Sequence, residues 1–264
     1  MIGAIIGDLA GSIYEFEQIN NAHSVVMNNI IEDNAFFSDD TILTIAILDA
    51  ILSKTSYQEK LKEYGKKYEN YLPKHTPYFN TTFSLGFTKW VNGDYMGTSM
   101  GNGAMMRVSP VGYLFNNEDE VLENAYLATI PSHNDEVAIK SAQIVALIIF
   151  YFRKGYSKEE VIKKLDLKIN KPNIEKFNYT CKDTLDVCLY SLFESNSFKE
   201  SIELILSFGG DTDTNACIVA SMSEALYGVD ENIKKEAMSK LPKEFVMILL
   251  RGYSKITNLK KRRD

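Results

Sequence analysis

Two short acidic clusters stand where apolar helices begin. Ser38-Asp39-Asp40-Thr41 runs directly into ILTIAILDAILSK, and Gly209-Gly210-Asp211-Thr212-Asp213-Thr214-Asn215 runs into ACIVASMSEALYG. Each has a plain reading: a hydroxyl or aspartate caps the helix, and first-turn acids complement its dipole. Two adjacent carboxylates entering a helix with no polar face ask for more, because burying unpaired charge is costly. A hard divalent cation answers that cost through oxygen ligands. The Asp-x-Asp spacing of the second cluster lets two carboxylates converge on one point, and its Gly-Gly pair permits positive φ. Together the clusters could form the two halves of a two-metal oxygen cage.

Other residues could complete such a site. The glycines of Gly101-Asn102-Gly103-Ala104-Met105-Met106-Arg107 could let backbone N–H groups cradle a phosphate, although Gly-Asn-Gly is also a common turn. Arg107 has two readings, a partner for a buried carboxylate or for a ligand. His133, in Pro-Ser-His-Asn-Asp, is either a capping-loop histidine or a phosphate or ribose contact beside a helix N-terminus. Gly3, Gly7 and Gly11 recur at steps of four and make a smooth face for close helix packing. Asp8 and Glu15, near or just beyond that helix, each read alone as surface or capping residues. His23 and His75 join no constellation. No Gly-x-Ser-x-Gly, His-Glu-x-x-His or phosphate-loop motif occurs, so those enzyme classes have no support.

The elements that must carry these residues read as helices. Residues 39–54 and 135–153 are apolar nearly all round and predict buried helices. Tyr57, Leu61, Tyr64, Tyr68 and Tyr71 form one stripe at helical spacing. Ser157 with Glu160 and Ser197 with Glu200 match the capping box, Asn117 with Glu120 is a looser version, and a helix over 214–227 should stop at Gly228. Strand signals are confined to an ambiguous stretch at 23–31. The longest irregular region spans 73–114, broken by a short helix at 82–91. No composition break divides the chain. The expectation is therefore an all-α fold, a single compact multi-helix domain of about ten helices over 1–264, with a short basic tail at 260–264.

Composition narrows the class. The chain has 264 residues, 45% hydrophobic and 24% charged, with a net charge of −6, which excludes a disordered chain. An acidic body argues against general nucleic-acid binding. The three cysteines, Cys181, Cys188 and Cys217, fit neither a metal-binding spacing nor a paired framework and read as reduced and buried, which points to a cytoplasmic protein. The start, MIGAIIGDLAGSIYEFE, lacks a basic region and meets Asp8 early, so it does not read as a signal peptide. The longest apolar run, Ile144 to Phe152, is far short of a membrane span.

GDLAGSIYEFE, SDDT before an apolar helix, GNGAMMR, SHNDEVA and GGDTDTNA, in that order, resemble the ADP-ribosylglycohydrolases, the family of dinitrogenase reductase-activating glycohydrolase. The resemblance runs from residue 1 to about residue 250. It implies an all-α fold with a binuclear magnesium or manganese centre in a cleft, and hydrolysis of the glycosidic bond between ADP-ribose and an acceptor. By position it implies Ser38, Asp39, Asp40, Asp211, Asp213 and Thr214 as metal ligands. Glu15 matches a glutamate that touches the metal site. Asn80, Gly101, Asn102, Gly103, Met105 and His133 would line or contact the ADP-ribose site. Ser38 stands where threonine is more usual but keeps the hydroxyl. The arginine-directed branch carries a catalytic aspartate shortly before the segment matching Asn80-Thr81-Thr82, whereas PKHTPYFNTT holds no acid. That speaks against arginine-linked hydrolysis by such a residue and leaves Glu15, Asp39 and Asp40 to activate water. The expected partner is an ADP-ribosylated substrate, met by a monomer away from membranes. Two alternatives stay open: a catalytically inactive ADP-ribose-binding module, and a binuclear-metal nucleotide phosphohydrolase.

Overall fold

A computed structural model describes residues 1–15, 24–71, 81–172 and 177–261. Its organising contact is between helix α1 (Ile2–Gly11) and a later helix, α12 (Thr212–Tyr227). A Cβ on Gly3, Gly7 or Gly11 would come within 2.3, 2.1 and 2.3 Å of the carbonyl oxygens of Ala220, Ala216 and Thr212. Only glycine lets the two backbones approach so closely. The small-residue face read from the sequence is thus the antiparallel seam between these helices. Its consequence for chemistry is direct, because it sets Asp8 beside the start of α12, where Asp213 lies. Farther along, Glu224 of α12 accepts hydrogen bonds from the Met1 ammonium and from Gly3 N–H (2.8 Å).

Around this pair lie α2 (Asp39–Ser53), α8 (Glu136–Arg153), α10 (Cys181–Glu194) and α11 (Phe198–Ser207). The buried helices expected at 39–54 and 135–153 are α2 and α8. The tyrosine stripe outlasts its helix. Helix α3 (Tyr57–Lys67) ends before Tyr68 and Tyr71, yet Tyr71 stacks on Phe37 with centroids 4.6 Å apart, and Tyr64 and Tyr68 pack against Phe245 of α14 (Lys243–Lys261). Reciprocal capping forms at Ser157–Glu160, opening α9 (Lys158–Lys164). At Ser197 the hydroxyl caps α11, but the Glu200 carboxylate turns to Asn196 N–H (2.7 Å).

The helix count is corrected upward. Fourteen helices lie among the described residues, against about ten expected. Helix α4 (Leu85–Asn92) is the short helix expected at 82–91, and two further helices, α5 (Gly103–Met106) and α6 (Ser109–Leu114), lie in the region read as irregular. The last two are too short to leave a periodic signal. Helix α7 (Glu118–Thr129) begins after an Asn117 cap, and α13 (Glu231–Ser239) lies between α12 and α14. Residues 24–31 form no strand, and the bridges Thr98–His133 and Gly101–Thr180 are the β pairing among the described residues. All three cysteines are free and buried. No helix among the described residues is long and apolar enough to cross a membrane.

Candidate active site

Three chain segments bring carboxylates to one place: α1 with the turn after it (Asp8, Glu15), the start of α2 (Asp39, Asp40) and the start of α12 (Asp211, Asp213). Carboxylate oxygens of Asp8, Asp40 and Asp213 lie within 4.8 Å of one another, and so do those of Glu15, Asp211 and Asp213. Asp213 belongs to both triads. Among the described residues none of the six acids makes an ion pair. Burial first, and the Asp213 charge next, push Asp8 up to about 7, Asp39 to about 8 and Glu15 to about 10. Asp40 and Asp211 are raised by the same two causes.

The hydroxyls aim these acids. Ser38 caps α2, and its Oγ lies 2.9 Å from Asp8 Oδ1 and 3.0 Å from Asp40 Oδ2. Thr214 donates to the same Asp40 oxygen at 3.1 Å. Asp8 accepts further bonds from Ser38 N–H (3.0 Å), Thr41 N–H (3.1 Å) and the Thr41 hydroxyl (2.5 Å). Both its oxygens are therefore engaged, and its evident work is to hold the SDDT turn. In contrast, Asp40 Oδ1 and Glu15 Oε2 are buried without a hydrogen-bond partner. Unpartnered carboxylate oxygens in a set of hard oxygen donors suit a divalent cation. Sequence reasoning did not count Asp8 within the site. The signal was there: a single acid inside a helix otherwise built of apolar residues and glycine.

The second cluster has its own scaffold. Gly209 and Gly210 adopt φ of 70° and 77°, and a Cβ on Gly210 would sit 2.1 Å from Asn178 Oδ1. That oxygen accepts from Asp211 N–H (3.1 Å) and the Asn215 amide (3.1 Å). Asn102 donates to Asp211 Oδ2 at 2.6 Å, which ties the GNG loop to the acidic cluster. Nothing in the sequence pattern around Asn178 marked its part.

Above the acids opens a cavity of about 750 Å³. Glu15, Ser38, Asp39, Asp211, Asp213 and Thr214 line its floor, and Gly101, Asn102, Gly103 and His133 line its wall. Asp40 lies behind that floor, 1% exposed. Phe37, Tyr71, Phe83, Phe87, Trp90 and Tyr179 supply aromatic surface. Met105 departs from its expected position: it is fully buried in the core, and its neighbour Met106 reaches the cavity instead. Helix α5 explains this, since adjacent residues on a helix point about 100° apart. The expected N–H cradle is also changed. Gly101 N–H donates to Ser99 Oγ (3.1 Å) and Asn102 N–H to Tyr179 O (2.8 Å), so neither is free for a phosphate. Asn80 lies outside the described residues.

A family model described as ADP-ribosylglycohydrolase matches residues 1–262. The chain belongs to the ADP-ribosylglycohydrolase family. Its family name carries the reaction class, hydrolysis of a glycosidic bond. The ADP-ribosylarginine hydrolase Tri1 of Pseudomonas putida (strain GB-1) is 22% identical over 263 residues, covering 87% of this chain and 70% of that protein. A protein of the same name from Serratia proteamaculans (strain 568) is 21% identical over 275 residues, covering 91% and 74%. A solved structure, "ADP-ribosylglycohydrolase-related protein complex", superposes with a TM-score of 0.70 at 17% identity, covering 97% of this chain and 95% of that one. This ADP-ribosylglycohydrolase therefore shares the all-helical fold of its solved relative, and its acids, GNG loop and His133 meet at one cavity.

Proposed function

We infer that this chain is a divalent-cation-dependent hydrolase that cleaves the glycosidic bond between ADP-ribose and an acceptor, reversing ADP-ribosylation. One observation carries the reading: two carboxylate triads share Asp213, one of them (Glu15, Asp211, Asp213) on the floor of a cavity walled by the GNG loop and His133, the other (Asp8, Asp40, Asp213) reaching behind that floor. Ser38, Asp39, Asp40, Asp211, Asp213 and Thr214 would hold two Mg²⁺ or Mn²⁺ ions. When bound, such ions orient ribose hydroxyls and lower the pKa of a water. Glycosidic cleavage at ribose builds oxocarbenium character, which an ionised carboxylate on the cavity floor would stabilise. Glu15 and Asp39, both on that floor, are the acids that can take a proton from an attacking water. Asp40, behind it, serves as support and ligand. His133 offers a ring nitrogen to phosphate or ribose oxygen. The acceptor end of the substrate would lie toward the aromatic mouth.

The test is a panel of ADP-ribosylated arginine, serine and thymidine with Mg²⁺ or Mn²⁺ titrated in, read as free ADP-ribose. Cation-dependent release from at least one is expected. Tight ADP-ribose binding with no release from any would overturn hydrolysis in favour of a binding module. The relatives named as arginine hydrolases keep the arginine linkage in the panel despite the acid-free segment 73–82.

A further inference from the structure

Arg107 heads the largest fully buried side chains of the protein, yet no carboxylate pairs with it among the described residues. Its Nη2 donates to Ala128 O (3.1 Å) and to Ser132 Oγ (2.7 Å). Ser132 Oγ in turn lies 2.8 Å from His133 Nδ1. We propose that Arg107 is a positioning residue that acts through Ser132 to fix His133 as the neutral tautomer with its proton on Nε2, a single hydrogen-bond donor aimed into the cavity.

A guanidinium only donates, so it occupies a lone pair of Ser132 Oγ. The hydroxyl proton then turns to the other recorded partner, Nδ1. An Nδ1 that accepts must be bare, which puts the ring proton on Nε2. A second ring proton is opposed by burial and by the neighbouring Arg107 charge, which together hold His133 well below the ordinary histidine range. The relay is rigid. A Cβ on Gly97 would sit 2.4 Å from Ser132 O, Ser99 N–H donates to that same carbonyl (3.2 Å), and Asn134 N–H donates to Gly97 O (2.9 Å). Nε2 faces the GNG loop, where a Cβ on Gly103 or Gly101 would stand 3.5 or 3.7 Å from it. The two glycines thus leave the donor uncovered for an acceptor oxygen of the ligand. The identity of that oxygen rests on the ADP-ribose reading; the tautomer does not.

The protein has three histidines, so ¹⁵N-histidine labelling gives three ring systems, and His133→Gln identifies the third. In the cation-free, ligand-free protein His133 should show a pyrrole-type Nε2 and a pyridine-type Nδ1. Arg107→Met and Ser132→Ala should each lose that single pattern and give mixed tautomers, while Ser132→Thr should restore it. A protonated Nδ1 in the wild type overturns the proposal, and so does an unchanged pattern in Arg107→Met. Should Arg107→Met not fold, Ser132→Ala decides, because it leaves the guanidinium in place: retention of one Nε2–H tautomer there overturns the relay. The spectrum needs neither substrate nor metal, so its failure is distinct from a failure of the hydrolase reading.

Discussion

Asp213 is the residue on which the site turns. After burial, its charge is the leading cause that raises Asp8, Glu15, Asp39, Asp40 and Asp211. Asp213→Asn removes the shared member of both triads and one like charge from a crowded pocket. Two opposite effects follow. Cation affinity should fall by more than about 100-fold, since the residue would serve both ions. The cation-free protein should melt a few degrees higher, because repulsion among the remaining carboxylates drops. Manganese titration followed by electron paramagnetic resonance reads the first effect, and thermal melts in chelator read the second. An unchanged manganese affinity would remove Asp213 from the metal-binding set. Asn102→Ala should leave the triads intact, because its amide steadies Asp211 without supplying a carboxylate.

At the scale of elements, the seam between α1 and α12 is what holds the triads together. Gly7→Ala would press a methyl to 2.1 Å from Ala216 O, a backbone atom that cannot step aside. The helices must part, at a cost of about 1–3 kcal/mol, and Asp8 and Glu15 move away from Asp213. Gly86→Ala in α4, where nothing lies within 4 Å of the new methyl, should instead be neutral or stabilise by up to about 1 kcal/mol. Equal melting temperatures for the two variants would refute the seam. These elements also show what a sequence discloses. SDDT and GGDTDTN are legible because caps, first-turn acids and an apolar run are all local. Asp8 shows in the sequence only as a lone acid in an apolar helix; that it joins the site does not show, because the groups that hold it, Ser38 and Thr41, lie 30 and 33 positions away. The same holds for Asn178, whose partners Asp211 and Asn215 are 33 and 37 positions off. Met105 and Met106 could not be told apart by spacing, since which of two neighbours faces a cavity depends on how a four-residue helix is rotated.

For the whole molecule, the acid cluster makes stability and pH inseparable. Unfolded carboxylates titrate near about 4, whereas in the fold Asp8, Asp39 and Glu15 titrate near about 7, 8 and 10. Above about pH 4 the folded chain therefore binds more protons than the unfolded one, and stability falls as pH rises. Other groups oppose this at lower pH: Glu224 is lowered by its Met1 and Tyr253 partners despite burial, hydrogen bonds lower Glu136, Glu159 and Glu244 at the surface, and His133 is held neutral. Their contributions are complete by about pH 7, near the unfolded histidine value. Between pH 7 and 9 the Met1 ammonium, lowered by burial, is the group that works the other way, one against the several acids. Cation-free protein should thus lose melting temperature steadily from pH 7 to 9. On the proposed reading, divalent cations would bind the folded chain in place of those protons, adding about 2.7 kcal/mol at 100 times the dissociation constant. The gain in melting temperature on adding Mg²⁺ or Mn²⁺ should therefore grow with pH, and chelator should reverse it. A cation-induced gain that is the same at pH 7 and pH 9 would mean that cation binding displaces no protons from the buried acids, and would count against the triads as the place where the cations bind.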